Sequence, residues 1–201
     1  MFKSIISVSS AGFKMQTGLK MKFISTIFLI ISIIFTSAIS QTTTTADLKV
    51  GDKAPAFSLP DLENNYVFLR DFSGEKLRKP WKNKTKYAVV ISFFATWCGP
   101  CKKEIPYLEK LQTEFKEKNI RFFLIDVGEE REVLDEYLKD NKTSITILHD
   151  RYKQTSEKFG ANSLPRLIVM DKNGIIQLIK KGFKDGESFM IEMKALLATL
   201  V

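Results

Sequence analysis

The apolar positions of this chain fall into short dense groups whose spacing changes from two to between three and four and back again. Tyr87 to Phe94 is apolar except for one serine, the length and composition of a strand buried on both faces. From Lys102 to about Lys116 the apolar residues Ile105, Leu108, Leu111 and Phe115 recur at helical spacing between lysines and glutamates. Ile120 to Asp126 is a second buried strand, and the helix between the two makes them parallel. Glu129 to Asp140 then predicts a charged helix with Val133, Leu134, Tyr137 and Leu138 inward. Ser144 to Leu148 follows as a strand, and Tyr152 to Phe159 as a short helix closed by Gly160. Arg166 to Met170, the turn Asp171–Gly174 and Ile175 to Ile179 form an antiparallel hairpin. A closing helix starts at Gly186, with Phe189, Ile191, Leu196, Leu197 and Leu200 as its apolar face. Upstream, Val50 to Pro60 carries two prolines. It suits an extended segment laid on the sheet edge through Phe57 and Leu59, and with Tyr66–Arg70 it makes an N-terminal hairpin. The fold class is α/β: a central mixed sheet flanked by helices, in one domain over residues 50–201 without internal repeats.

The first 40 residues have a different pattern. Met21-Lys22 precedes an apolar run from Phe23 to Ile39, and Ala38-Ile39-Ser40 offers small residues ahead of Gln41. Residues 1–40 are therefore expected to be a leader, either a cleaved signal peptide or a membrane anchor within 21–40. A polar linker over 41–49 follows. Both forms export the domain, to the periplasm or to the outer side of a membrane. The formal charge is +8, of which the four lysines of residues 1–40 supply half. The remainder is thinly spread, which excludes a nucleic-acid footprint. Basic residues are dense only over 75–86, which reads as a solvated loop or a docking patch for an acidic partner or lipid surface.

The chemistry concentrates in Trp97-Cys98-Gly99-Pro100-Cys101, which holds the chain's two cysteines at a strand-to-helix corner. Two cysteines are too few for a disulfide scaffold. With the single His149 they are also too few for a zinc site of about four ligands. Two thiols at this spacing can instead open and close a disulfide in place. The attacking species is a thiolate, and Cys98, just ahead of the helix, has the dipole and free N–H groups to favour one. Gly99 permits the tight turn, and Pro100 suits a first helical turn. Cys101, on the helix, resolves the mixed disulfide. Glu104 shares its helical face three residues on. It is a general base for that step or an acid suited to the helix dipole. Pro106 should kink the helix. Leu164-Pro165, between a helix and a strand, would offer backbone groups to an extended partner if its peptide bond were cis. Asn83 and Asn141 fit the glycosylation pattern.

These residues resemble the thioredoxin superfamily and, within it, the exported TlpA-like thiol–disulfide oxidoreductases that include cytochrome c maturation reductases. The likeness rests on Gly51–Phe57, Phe94–Cys101, Glu104-Ile105-Pro106, and Leu164-Pro165 ahead of a strand ending in Asp171–Gly174. It implies a thioredoxin-like fold with an added helix and strand near 130–148 and no cofactor beyond a redox-active Cys98–Cys101 disulfide. It implies Cys98 as nucleophile, Cys101 as resolving thiol, Glu104 as active-site acid and Pro165 as a cis proline. Trp97, Gly99, Pro100, Leu164 and Pro165 would meet the substrate, a disulfide-containing protein, and a membrane thiol relay would donate electrons. Three features depart from the superfamily. The buried aspartate of cytosolic thioredoxins is Ser92 here, Arg166 replaces a small hydroxylated residue, and the link over 75–86 is long. Oxidase or isomerase action, a peroxiredoxin-like peroxidase and a non-catalytic binding module are the other readings. The peroxidase lacks support because Phe93–Cys98 does not carry the Pro-x-x-x-Thr-x-x-Cys spacing.

Overall fold

A computed structural model of the chain describes residues 47–80 and 83–201. The expected leader and most of the linker lie outside these residues. Among those described, no helix is long and apolar enough to cross a membrane.

The order of elements is β1 (Ser58–Pro60), β2 (Tyr66–Phe68), β3 (Ala88–Phe94), α1 (Gly99–Glu114), β4 (Ile120–Val127), α2 (Arg131–Asp140), β5 (Thr146–Asp150), α3 (Gln154–Lys158), β6 (Arg166–Met170), β7 (Ile176–Lys181) and α4 (Gly186–Thr199). Strands β5-β4-β3-β6-β7 form one sheet in that order. β3, β4 and β5 are parallel, and β6 and β7 run antiparallel to their neighbours. Every residue of β3 is buried. Its alternate residues face opposite ways, as strand geometry requires. Val90 and Phe94 join Leu108, Leu111, Leu124, Leu134, Phe189 and Leu197 on the face covered by α1, α2 and α4. Val89, Ile91 and Phe93 pack on the other face with Phe57, Leu59, Val67 and Leu69 from the N-terminal hairpin. The hairpin therefore covers a face of the sheet as well as reaching its edge, where Asp61 bridges Leu148 of β5. A strand buried on both sides needs that cover.

Several boundaries differ from the sequence reading; the strand expected over Tyr66–Arg70, for one, ends at Phe68, and Leu69–Asp71 is a 3-10 turn. β5 runs two residues further than expected, through His149 and Asp150, because they pair in register with Asp126 and Val127 of β4. The polar side chains had marked that stretch as a strand end. α3 starts after Lys153, which sits in the left-handed region at φ 57°, and Asp150 accepts the N–H groups of Thr155 and Ser156. Tyr152 is left outside the helix and exposed. α1 continues through Pro106 as one helix.

The basic stretch is tied to the domain rather than freely solvated. The Arg78 guanidinium makes two bonds to buried Asp71, at 2.7 and 3.0 Å, and lies 4.0 Å above the Phe68 ring. Lys86 donates to the carbonyl of Glu75. The side-chain amides of Asn83 and Asn141 donate to Asp71 O and Tyr137 O. Lys79-Pro80 is cis, as is Leu164-Pro165.

Helices α1 and α4 meet at a glycine. A Cβ added at Gly186 would lie 2.0 Å from the Tyr107 ring, which Phe183 and Phe189 hold in place. Gly186→Ala should therefore destabilise the fold by about 1–3 kcal/mol through overpacking. Helix propensity alone would make the same change favourable by about 1 kcal/mol. A melting temperature that rises in the variant would refute the close contact.

Candidate active site

The redox corner stands at the C-terminal end of the central strand. β3 ends at Phe94, Ala95 and Thr96 turn the chain, and Cys98 caps α1. Cys98 is extended, at φ −80° and ψ 99°, and its Sγ accepts the N–H of Cys101 at 3.2 Å. This is the N-cap position, where a side-chain acceptor takes one of the helix's free N–H groups. A thiolate there would accept the same bond and gain from the helix dipole. Pro100, in the first turn, has no N–H to leave unpaired. The two sulfurs form a disulfide with Cα atoms 5.3 Å apart.

Standing at the corner does not leave the Cys98 sulfur open. In the disulfide Cys98 is 4% exposed and Cys101 is fully buried. Both sulfurs belong to the apolar cluster on the α1 side of the sheet, against which Leu164 packs. What projects around them is Trp97, 72% exposed, with Gly99 and Pro100 also exposed.

Glu104 lies one turn beyond Cys101 and is 1% exposed. Ser92 Oγ donates to its Oε2 at 2.5 Å, while Oε1 has no hydrogen-bond partner. The position where cytosolic thioredoxins keep an aspartate thus holds a hydroxyl that supports Glu104. Burial pushes the Glu104 carboxyl up to about 7, against the opposing pull of Ser92 and the Lys180 ammonium. Such a group gives and takes a proton near neutrality.

The cis Leu164-Pro165 bond precedes β6. Pro165 O accepts the N–H of Gly182, whereas the backbone N–H and C=O of Leu164 have no hydrogen bond among the described residues. Arg166 points inward, away from the surface a substrate would meet, with Asp47 acting on it as an opposite charge. It is 1% exposed, its Nε and Nη1 lack acceptors, and burial lowers its pKa.

Sequence reasoning missed the support beneath the corner. The Glu129 carboxylate accepts both the N–H and the Oγ1–H of Thr96, each at 2.6 Å. Glu129 follows β4, parallel to β3, so both residues sit at the carboxyl ends of adjacent parallel strands. That placement, a recurrent one for functional groups, was the available signal. His149 Nε2 lies 2.8 Å from Glu129 O.

Known proteins resemble this chain over much of its length. The AhpC/TSA family profile matches residues 50–179. "Thiol-disulfide oxidoreductase ResA" of Bacillus thuringiensis subsp. konkukian is 30% identical over 134 residues, 66% of this chain and 70% of the relative. The protein of that name in Geobacillus thermodenitrificans is 27% identical over 169 residues, 84% of this chain and 90% of its own. A crystal structure from Chlorobium tepidum, assigned as thiol:disulfide interchange protein DsbE, superposes with a TM-score of 0.63 at 27% identity. It covers 75% of this chain and 98% of that one. The chain belongs to the AhpC/TSA family, among its thiol–disulfide oxidoreductases.

Proposed function

We propose that this enzyme reduces disulfides in exported proteins, in the manner of a cytochrome c maturation reductase, and is recharged by a membrane thiol relay. The observation that carries the reading is the Cys98–Cys101 bridge, which caps its own helix one turn from a buried carboxyl poised near neutrality. In the reduced enzyme the Cys98 thiolate attacks one sulfur of the substrate disulfide. A mixed disulfide forms and the first substrate thiolate leaves. Glu104 takes the Cys101 proton, and the Cys101 thiolate attacks Cys98 Sγ. The second substrate thiolate departs, so two electrons pass to the substrate and the Cys98–Cys101 bond closes. Trp97, Gly99 and Pro100 form the exposed rim for the partner, and Leu164, ahead of cis Pro165, offers it backbone hydrogen bonds in β-strand fashion.

The expected export signal or anchor over 21–40 supports action outside the cytoplasm, where a reductant needs a dedicated donor. Gly-Pro between the cysteines supports the reducing direction. Reducing thioredoxins lie near about −270 mV, and strong oxidants near about −120 mV. Equilibration with glutathione should give a potential close to the first value. The reduced protein should also open the disulfide of an apocytochrome-type peptide in stoichiometric amount. A potential near that of the oxidants would overturn the assignment of direction.

A further inference from the structure

The carboxyl end of the sheet beneath the redox corner carries a buried acid that thiol exchange does not use. Asp126 stands in register between Phe94 of β3 and His149 of β5. It is completely buried, and neither carboxyl oxygen has a hydrogen-bond partner among the described residues. Its nearest positive candidate, His149 Nε2, is 3.6 Å from Oδ2 but already 2.8 Å from Glu129 O. Glu129, three residues beyond Asp126, spends both carboxylate oxygens on Thr96. A single carboxylate therefore grips, at two points, the residue that leads into Trp97-Cys98.

Two ionised carboxylates have no donor between them, and burying both is costly. One shared proton changes this. An Asp126 carboxyl that keeps its proton supplies an O–H for the Glu129 carboxylate, fills its own orphaned valence and leaves one anion to hold Thr96. We propose that Asp126 is a positioning residue for the redox corner, a protonated carboxyl whose O–H braces Glu129 and through it fixes Thr96 ahead of Cys98. Burial, and then the adjacent Glu129 carboxylate, hold the Asp126 carboxyl up to about 8 against the opposing pull of the Glu129 backbone N–H, and Asp150 pushes upward too.

The surrounding charges do not replace that proton. β5 contributes His149 and Asp150, whose carboxylate is engaged by the N–H groups of Thr155 and Ser156. α1 contributes Glu104, itself pushed up, and Lys102, whose ammonium lies over the Tyr137 ring at 5.1 Å. α2 contributes Tyr137, raised by burial and by Glu129, and Arg131, which is paired with Asp135. The side-chain carbons of Lys153 lie across Gly128. The brace is present below the Asp126 pKa and is lost as pH rises through it, when the pair becomes a dianion.

The test compares the reduced wild-type enzyme with Asp126→Asn and Asp126→Leu. Its first readout is the rate of Cys98 alkylation by iodoacetamide against pH; its second is disulfide exchange with oxidised glutathione. Wild type should show an ionisation near pH 8 besides those of Cys98 and of Glu104 near 7. Asp126→Asn, which keeps an N–H donor but cannot titrate, should lose that step. Asp126→Leu should lower exchange at neutral pH by roughly 10²-fold, the scale of a misplaced reacting group, and Asp126→Asn should rescue it. Infrared difference spectra of wild type against Asp126→Asn should show, at neutral pH, a neutral-carboxyl band of wild type beyond that of Glu104, which both proteins keep. This readout decides the matter even if Asp126→Leu fails to fold. The proposal is overturned if the ionisation near pH 8 persists in Asp126→Asn, if Asp126→Leu exchanges like wild type, or if the difference spectrum holds no such band.

Discussion

Cys101→Ser will stop turnover while leaving the first exchange intact. Cys98 keeps its place at the helix N-terminus, so it still attacks a substrate disulfide and the mixed disulfide forms. What disappears is the neighbour three residues on that displaces the product. A well-placed intramolecular group acts at an effective concentration of roughly 10⁵ M or more, so release by millimolar external thiol should be slower by up to about 10⁸-fold. The measurement is insulin reduction for turnover and non-reducing electrophoresis for the adduct, which should accumulate in proportion to enzyme. Cys98→Ser should give neither turnover nor adduct. If Cys98→Ser forms the adduct and Cys101→Ser does not, the roles are exchanged.

Glu104→Gln has the second large effect, and it has two signatures. Folding holds the Glu104 carboxyl at about 7, against an ordinary value of 4.5. The folded protein therefore binds this proton more tightly than the unfolded chain. Stability from the group is complete below about pH 4.5 and falls as pH rises to about 7, by about 3 kcal/mol in total. Glutamine cannot titrate, so the variant should lack this slope and, above neutral pH, melt higher than wild type. Catalysis should move the opposite way. Without a base for the Cys101 proton, release of the mixed disulfide should slow by about 10²-fold or more near neutrality. Melting curves across pH and single-turnover kinetics check the two parts. Parallel melting profiles for the two proteins would refute the buried, poised carboxyl.

Much of the frame was legible because its signals were local. Tyr87–Phe94 reads as a doubly buried strand from its own composition, and the structure buries every residue from Ala88 to Phe94. The α1 periodicity and the cysteine spacing are equally self-contained. The cis bond at Pro165 was different, since no pattern in Ala161–Arg166 demanded it and only the family resemblance suggested it. What stayed hidden depends on residues far apart in the chain. Thr96 and Glu129 are 33 positions apart. His149 and Asp150 look like the polar end of a strand until β4 is laid beside them. Arg166 resembles a surface residue, yet its place in β6 between β3 and β7 buries it. The basic stretch looked free because Asp71, which holds Arg78, carries no mark of burial in the sequence.

The covalent ring at the corner is very small, closing over a separation of three residues. A cross-link stabilises a fold chiefly by the length of chain it restrains, and this one restrains almost none. The bridge is thus a two-electron reservoir and hardly a structural tie. The domain can be emptied and refilled over many cycles with its architecture resting on the apolar layers alone.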